Sequence, residues 1–406
     1  MAHLRSLRKR YAWLWRNGYP FLVSRRPTPV ERLRAWGLAV EQAQRPPVKR
    51  KVATVAMTVG WSIASVWNAA EAAWLERHDA DFRPWQRFIS YLYPALRHNA
   101  LIPALRRLRN ESGQEPAIIA PHLLYDRETR IWRALNAARG ADGEEVQDKA
   151  QFHAIMRRYD LPVVPVFAAT EADRKAAVGQ DLFVKPARGN RGIGVQAYRW
   201  IEGTGWRHGE HTYSSFDALL ADVEARDSII QPLLCDGAAF REAGSNGLST
   251  VRIVTLHLPD GTLRVAAAQL QLAKGLISQE GAVFELDPVD GRLITWWDAE
   301  SLKVRQRAHA GAAIPFVAVP EWDGFINLAK HAHRIAFPRF ASLGWDIVMT
   351  DAGLLLLEAN QGWGMMTHQV LGKALGLGPI AGAAEAWLVW LAHQRSGSKR
   401  FLWTRI

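Results

Sequence analysis

The sequence predicts an α+β protein. A basic, mainly helical N-terminal region leads into a longer stretch where short strands alternate with turns and a few helices. Three observations predict this. Up to about residue 110 the chain is rich in Trp and Arg and broken at Pro27, Pro29, Pro46 and Pro47. From about residue 148 apolar, β-branched runs follow one another: "LPVVPVFAA", "DLFVKPA", "GVQAYRWI", "SIIQPLL", "STVRIVTLHL", "LRVAAAQLQLA". Near the C-terminus two apolar runs, "WDIVMT" and "LLLLEAN", flank "DAG" in the manner of a hairpin. The length of 406 residues suffices for two or three domains, and 49% hydrophobic with 22% charged residues is a globular composition. A single cysteine, Cys235, excludes an intramolecular disulfide or a metal site of several thiolates, and fits a reducing compartment.

The first element is a basic arm. Of the net charge of +12, residues 1–51 hold thirteen Lys or Arg against Glu31 and Glu41, a surplus of eleven. The rest of the chain is close to neutral. Tyr11, Trp13, Trp15, Tyr19 and Phe21 interleave with the arginines. Three readings fit: a packed helical extension with a solvated basic face, an anionic membrane surface, or nucleic acid, the last least favoured. A secretory signal is not expected, because Arg16, Asn17, Gly18 and Pro20 interrupt the apolar run. The uncharged run over 52–70 raises a transmembrane question, but its Thr, Ser, Gly and Asn content favours a buried helix.

Further along, "GQEPAIIAPHLLYD" (113–126) is expected to begin a strand-containing region, and "GADGEE" (140–145) breaks the chain before another helix. Lys149 stands at the start of that helix, where a solvated lysine and a phosphate contact are both open readings. "DLFVKPARGNRGIGVQAYRW" (181–200) carries Lys185 on a strand, then a loop with Gly189, Gly192 and Gly194, then another strand. Glycines let backbone N–H groups approach phosphate oxygens. A dinucleotide fingerprint runs from strand to helix, so strand–loop–strand suggests a flap over a nucleotide. The alternative is an ordinary hairpin with a surface lysine. "DSIIQPLL" (227–234) places Gln231 inside an apolar strand that could offer backbone groups to an adenine edge. Arg252, in "STVRIV", needs an anionic partner if buried, either a phosphate or acyl-phosphate or an acid of the chain.

The hairpin at 345–360 is the most informative element. If Asp351-Ala352-Gly353 form a three-residue loop with Thr350 opposite Leu354, Asp346 falls opposite Glu358, and Asn360 shares their face. A different turn would shift the register and separate the acids. Facing carboxylates repel, more so when buried, and a bound cation removes the conflict. Three such oxygen ligands suit a hard ion such as Mg²⁺. The alternative is a solvated hairpin end. "PIAGAAEAWLVWLAHQR" (379–395) reads as a closing amphipathic helix.

In their order, these pieces resemble the ATP-grasp superfamily: a DK-helix, strand-Lys-Pro with a glycine loop, a hinge strand, a strand with arginine, and D…ExN. "STVRIV" and "GWDIVMTDAGLLLLEAN" look most like its sugar-transfer associated branch, related to α-L-glutamate ligase-like proteins. The resemblance covers about residues 146–370. It implies an ATP-grasp fold, two α+β subdomains gripping ATP. The organisation expected is a helical region over 1–110, a linker or pre-grasp region over 111–147, a first subdomain over 148–240, a second over 241–378 and a terminal helix over 379–406.

The resemblance also implies roles. Lys149 and Lys185 would meet ATP phosphates, the loop with Gly189, Gly192 and Gly194 would close over them, and Gln231 and Leu233 would frame the adenine. Arg252, with Lys185, would act on the transferring phosphate or acyl-phosphate, and Asp346, Glu358 and Asn360 would bind Mg²⁺. The activity implied is an ATP-dependent carboxylate–amine ligase acting through an acyl-phosphate. Its expected partners are a small-molecule or sugar-linked carboxylate and an amine acceptor, in the cytoplasm or at the inner face of the membrane. Phosphoryl transfer to a hydroxyl, or a silent nucleotide-binding scaffold, are the competing readings. Two departures stand out. Gln231 occupies a position that is often acidic, and "GLISQEGAVFELD" (275–287) replaces an Asp-Asn and paired-glycine pattern. His257 and His368 could assist an acceptor, although lone histidines are more often structural.

Overall fold

The structure, a computed structural model, describes Val30, Leu33 and residues 47–78, 83–98, 100–120, 129–189, 193–275, 281–298, 303–306, 317–371 and 375–395. Most of the basic arm, and Gly192 of the glycine loop, lie outside the described residues. The chain divides into two compact units, residues 1–134 with 364–406, and residues 135–363.

The first unit is helical among its described residues. Helix α1 (Pro47–Leu75) packs on α2 (Pro84–His98) and α3 (Ile102–Ser112). Trp61 Nε1 donates to Ala95 O (3.2 Å), and the hydroxyl of buried Tyr91 donates to Glu76 Oε1 (2.6 Å). Arg87 and Arg106 also reach Glu76, at 3.3 and 3.5 Å. The expected strand-containing region at 113–126 is instead a short helix, Pro116–Ile119, in its described part. The closing helix Pro379–Arg395 is present as expected.

The second unit contains two antiparallel sheets. One has the order β4-β3-β2-β1-β5, built from β1 (Leu182–Pro186), β2 (Gln196–Ile201), β3 (Gly205–His208), β4 (His211–Tyr213) and β5 (Ser228–Pro232). Its inward positions, including Leu182, Val184, Tyr198 and Ile230, form a core with Phe216, Leu219 and Val223 of a helix over Phe216–Ala225. The other has the order β10-β9-β8-β7-β6-β11-β12. Its strands are β6 (Thr250–His257), β7 (Leu263–Leu272), β8 (Ala282–Leu286), β9 (Leu293–Asp298), β10 (Lys303–Gln306), β11 (Ser342–Thr350) and β12 (Gly353–Asn360).

Residues of alternate parity from this larger sheet, including Val251, Ile253, Leu270, Phe284, Trp345 and Ile347, make the main core. They pack with Phe152 and Met156 of the helix Lys149–Arg158, and with Trp322, Phe325, Ala329 and Ala332 of the helix Trp322–Ala336. Buried His333 stays neutral, pushed down to about 3 by burial, and bridges Thr255 Oγ1 and Phe340 O.

One segment ties the two sheets together. "LPVVPVFAA" forms no named strand, because Pro162 and Pro165 lack the N–H that a ladder needs. It makes isolated bridges instead, Val163 to Leu356 on the edge strand β12, and Phe167 to Ile230 on the edge strand β5.

Candidate functional site

A lateral row of polar side chains crosses the larger sheet. Asp346 on β11 pairs with Glu358 on β12 and with Arg252 on β6; Arg252 pairs with Gln269 on β7, and Gln269 with Glu285 on β8. Directly paired residues share a face, so this row lies opposite the main core. The facing of Asp346 and Glu358 is as expected, but the turn is not. Thr350 pairs with Gly353, leaving a two-residue turn, Asp351-Ala352, and the register holds to Ile347 opposite Leu356. A bulge then takes up Leu357 and restores Asp346 to Glu358. Without the bulge, Asp346 would face Leu357.

Of the two partners the sequence left open for Arg252, the structure shows an acid. Its Nε and Nη2 each donate to Asp346, to Oδ1 and Oδ2, both at 2.7 Å. Such a fork fixes the guanidinium plane and holds the carboxylate in register. On β12, Asn360 Nδ2 donates to Glu358 Oε1 (2.9 Å).

One cation arrives from the smaller sheet and another from the start of the helix Lys149–Arg158. Lys185 is buried on β1, on the face away from the core formed by Leu182 and Val184. Its ammonium is lowered to about 8, chiefly by burial; Lys149 lowers it further, while Glu358 and Asp346 oppose the shift. Lys149 begins its helix as expected, with Asp148 as N-cap accepting from the N–H groups of Ala150 (3.0 Å) and Gln151 (3.1 Å). Lys149 Nζ donates to Gly189 O (3.0 Å), and its backbone N–H to Ala187 O (3.0 Å), so the helix start anchors the root of the glycine loop. Gly189 and Gly194 have φ of 137° and 80°. A side chain at Gly194 would also come within 3.1 Å of Pro186 Cγ. The loop joins two paired strands, as expected.

The hinge residues divide. Gln231 is buried on the Lys185 face of β5, opposite Phe183; its Nε2 donates to Val164 O (3.4 Å), and its Oε1 has no partner. Leu233 donates its backbone N–H to Asp181 O (2.8 Å). That N–H is therefore committed, which narrows the expected adenine contact of Leu233 to its carbonyl.

Electrostatics bind the group together. Burial pushes the Asp346 carboxyl up, and Glu358 adds to this against the pull of Arg252. Burial would also raise Glu358, but Lys185, Asn360 and Lys149 outweigh it and hold the carboxyl below its usual value. Three cations, two carboxylates and one carboxamide thus converge. Among the described residues no three of His, Cys, Asp and Glu gather as a self-sufficient metal cage. Two facing carboxylates and an amide oxygen fit a hard cation that takes its remaining ligands from water and phosphate.

Sequence reading missed Gln269 and Glu285. Gln269 Nε2 donates to Glu285 Oε2 (3.2 Å), and both are buried. The available signal was a polar residue inside an apolar run: Gln269, with Gln271 two residues on, in "LRVAAAQLQLA", and Glu285 alone in "AVFEL". His257 does not join the group. His257 contacts Pro338 O (2.9 Å), and burial lowers its pKa. His368 is buried in the first unit.

Similar solved structures include an L-amino acid ligase from Bacillus licheniformis, at 16% identity and TM-score 0.35, covering 64% of this chain and 53% of that one. A D-alanine–D-alanine ligase from Helicobacter pylori matches at 10% identity and TM-score 0.33, covering 60% of this chain and 57% of that one. D-alanyl-alanine synthetase A from Vibrio cholerae matches at 13% and 0.34, covering 63% and 66%. The chain thus spans about half to two thirds of the length of these structures. No curated protein sequence matches it. Residues 128–379 match the family model for sugar-transfer associated ATP-grasp, more than half of the 406 residues, and the chain belongs to that family.

Proposed function

We propose that the chain is an ATP- and Mg²⁺-dependent carboxylate–amine ligase that works through an acyl-phosphate, on a sugar-linked carboxylate such as one from a cell-surface polysaccharide. The observation that carries this reading is the convergence of Lys149, Lys185 and Arg252 on the facing pair Asp346 and Glu358, inside the region matched to the family.

In this reading Lys149 and Lys185 neutralise phosphate charge, and the glycine loop rooted at Gly189 and Gly194 closes over the phosphates. Gln231 offers its spare Oε1 to the adenine amino group, beside the Leu233 carbonyl. Asp346, Glu358 and the Asn360 amide oxygen would hold Mg²⁺, which when bound would offset the charge on the phosphates. The substrate carboxylate attacks the γ-phosphorus and ADP leaves. The amine nitrogen then attacks the acyl carbon, phosphate leaves, and the nitrogen loses a proton as the amide forms. Arg252, held flat by Asp346, faces the charge that develops on the transferring group.

The test is incubation with ATP, Mg²⁺ and a cell metabolite extract, followed by mass analysis. The expected result is ADP, phosphate, and a product whose mass is acid plus amine less water. Heavy oxygen placed in the carboxylate should appear in the released phosphate. A phosphorylated hydroxyl compound would replace ligation with phosphoryl transfer, and nucleotide binding without turnover would leave a scaffold.

A further inference from the structure

Helix α1 is built inside out. Trp61, Ala64, Ser65, Ala69 and Ala72 face inward and are buried, and all but the first are small. Val52, Val55, Val59, Ile63, Trp67 and Trp74 lie outward, each 54–66% exposed. At about 100° per residue these six fall within an arc of roughly 120°, and from first to last they run about 33 Å along the helix. From Val52 to Leu75 the only charged residue is Glu71, which lies outside that arc. The buried-helix expectation for 52–70 is therefore half right: the small residues are inside and the bulky apolar ones are not. Small residues allow close approach to α2 and α3, which leaves the large side chains no room on that side. On α2, Trp85 and Tyr93 are exposed as well.

An apolar stripe of this length needs an occupant. No described helix is long and apolar enough to cross a membrane. Charge decides among the remaining choices. Lys49, Arg50 and Lys51 open the helix, within the segment that carries a surplus of eleven positive charges. A second copy of the chain would bring the same surplus against itself. A lipid surface with anionic headgroups takes the apolar stripe and the cations together, and exposed tryptophans suit its interfacial layer. Arg77 already lies over the Trp74 ring, 4.4 Å from its centroid, as a cation beside an interfacial aromatic would. We propose that the outward stripe of α1 lies in the interface of an anionic bilayer, parallel to it, with the Lys49–Lys51 start of the helix at the headgroups.

The test uses the full chain and vesicles of phosphatidylcholine, alone or mixed with phosphatidylglycerol, at low and high salt. Co-sedimentation should favour the anionic vesicles at least tenfold. Lys49→Glu with Lys51→Glu should remove much of the salt-sensitive part. Ile63→Asp with Trp67→Asp, both at exposed positions, should reduce the salt-resistant part at least tenfold while circular dichroism stays unchanged. As a measurement that needs no variant, brominated acyl chains should quench tryptophan fluorescence of the unaltered protein. No binding, equal binding to both vesicle types, absence of quenching, or full binding by the folded stripe variant would overturn the proposal. So would a dimer in sedimentation that the stripe variant dissociates, since a second copy would then be the occupant. Nucleotide binding is measured separately, so failure here leaves the ligase reading standing.

Discussion

Lys185 is a cation held out of water, with its ammonium lowered to about 8 by burial. Only the charged form can meet a phosphate. Below about pH 8 the free protein already carries that charge; above it, binding must take up a proton. ATP affinity should therefore be flat below about pH 8 and fall as pH rises through it, by up to tenfold per unit. Calorimetry in buffers of different ionisation enthalpy should show proton uptake near pH 9. Lys185→Met should lose a charge-assisted contact of about 1.5–3 kcal/mol, roughly tenfold to a hundredfold in ATP affinity. Its melting temperature without nucleotide should change little, because relief of a costly buried charge offsets the loss of the attraction that holds Glu358 ionised.

Arg252 behaves oppositely. Arg252→Ala would leave buried Asp346 beside Glu358 with its fork gone. The expected loss is about 3 kcal/mol or more, read as a lower midpoint in urea. Glu358→Gln keeps the shape and removes one charge of the facing pair. It should lower Mg²⁺-dependent ADP release by roughly 10²–10³-fold with little change in melting temperature.

At the scale of elements, the hairpin β11–β12 depends on close packing as well as on register. A side chain at Gly344 would stand 2.4 Å from Trp363 Cβ. Gly344→Ala, two residues before Asp346, should cost about 1–3 kcal/mol by overpacking, visible in thermal melting.

The same hairpin shows how far sequence reaches. Alternation and the position of "DAG" predicted the facing acids, yet the predicted loop was one residue too long. The bulge at Leu357 compensated, and nothing in four consecutive leucines marks which one bulges. Lys149 and Lys185 were legible because local patterns placed each at a helix start or on a strand. Gln269 and Glu285 were not, because their place in the polar row is set by pairing between strands distant in sequence. "LPVVPVFAA" was β-rich in composition, but its prolines allowed only bridges. The outward face of α1 escaped prediction for a related reason. Apolar residues lie all round the helix, so period alone could not say which side the small residues would bring inward.

At the scale of the molecule, the charged groups are divided between two parts of the chain. Residues 135–363 hold the converging lysines, arginine and acids, and nearly all the surplus positive charge lies in residues 1–51. The central claim is that the charged group in the second unit is a Mg²⁺–ATP site. The most direct measurement is calorimetric titration of the full chain with ATP, with and without Mg²⁺, alongside Lys185→Met and Glu358→Gln. The account predicts binding by the unaltered chain that strengthens with Mg²⁺, tenfold or greater weakening in Lys185→Met, and loss of the Mg²⁺ enhancement in Glu358→Gln. Equal affinity in all three proteins, or no effect of Mg²⁺ on the unaltered one, would contradict it.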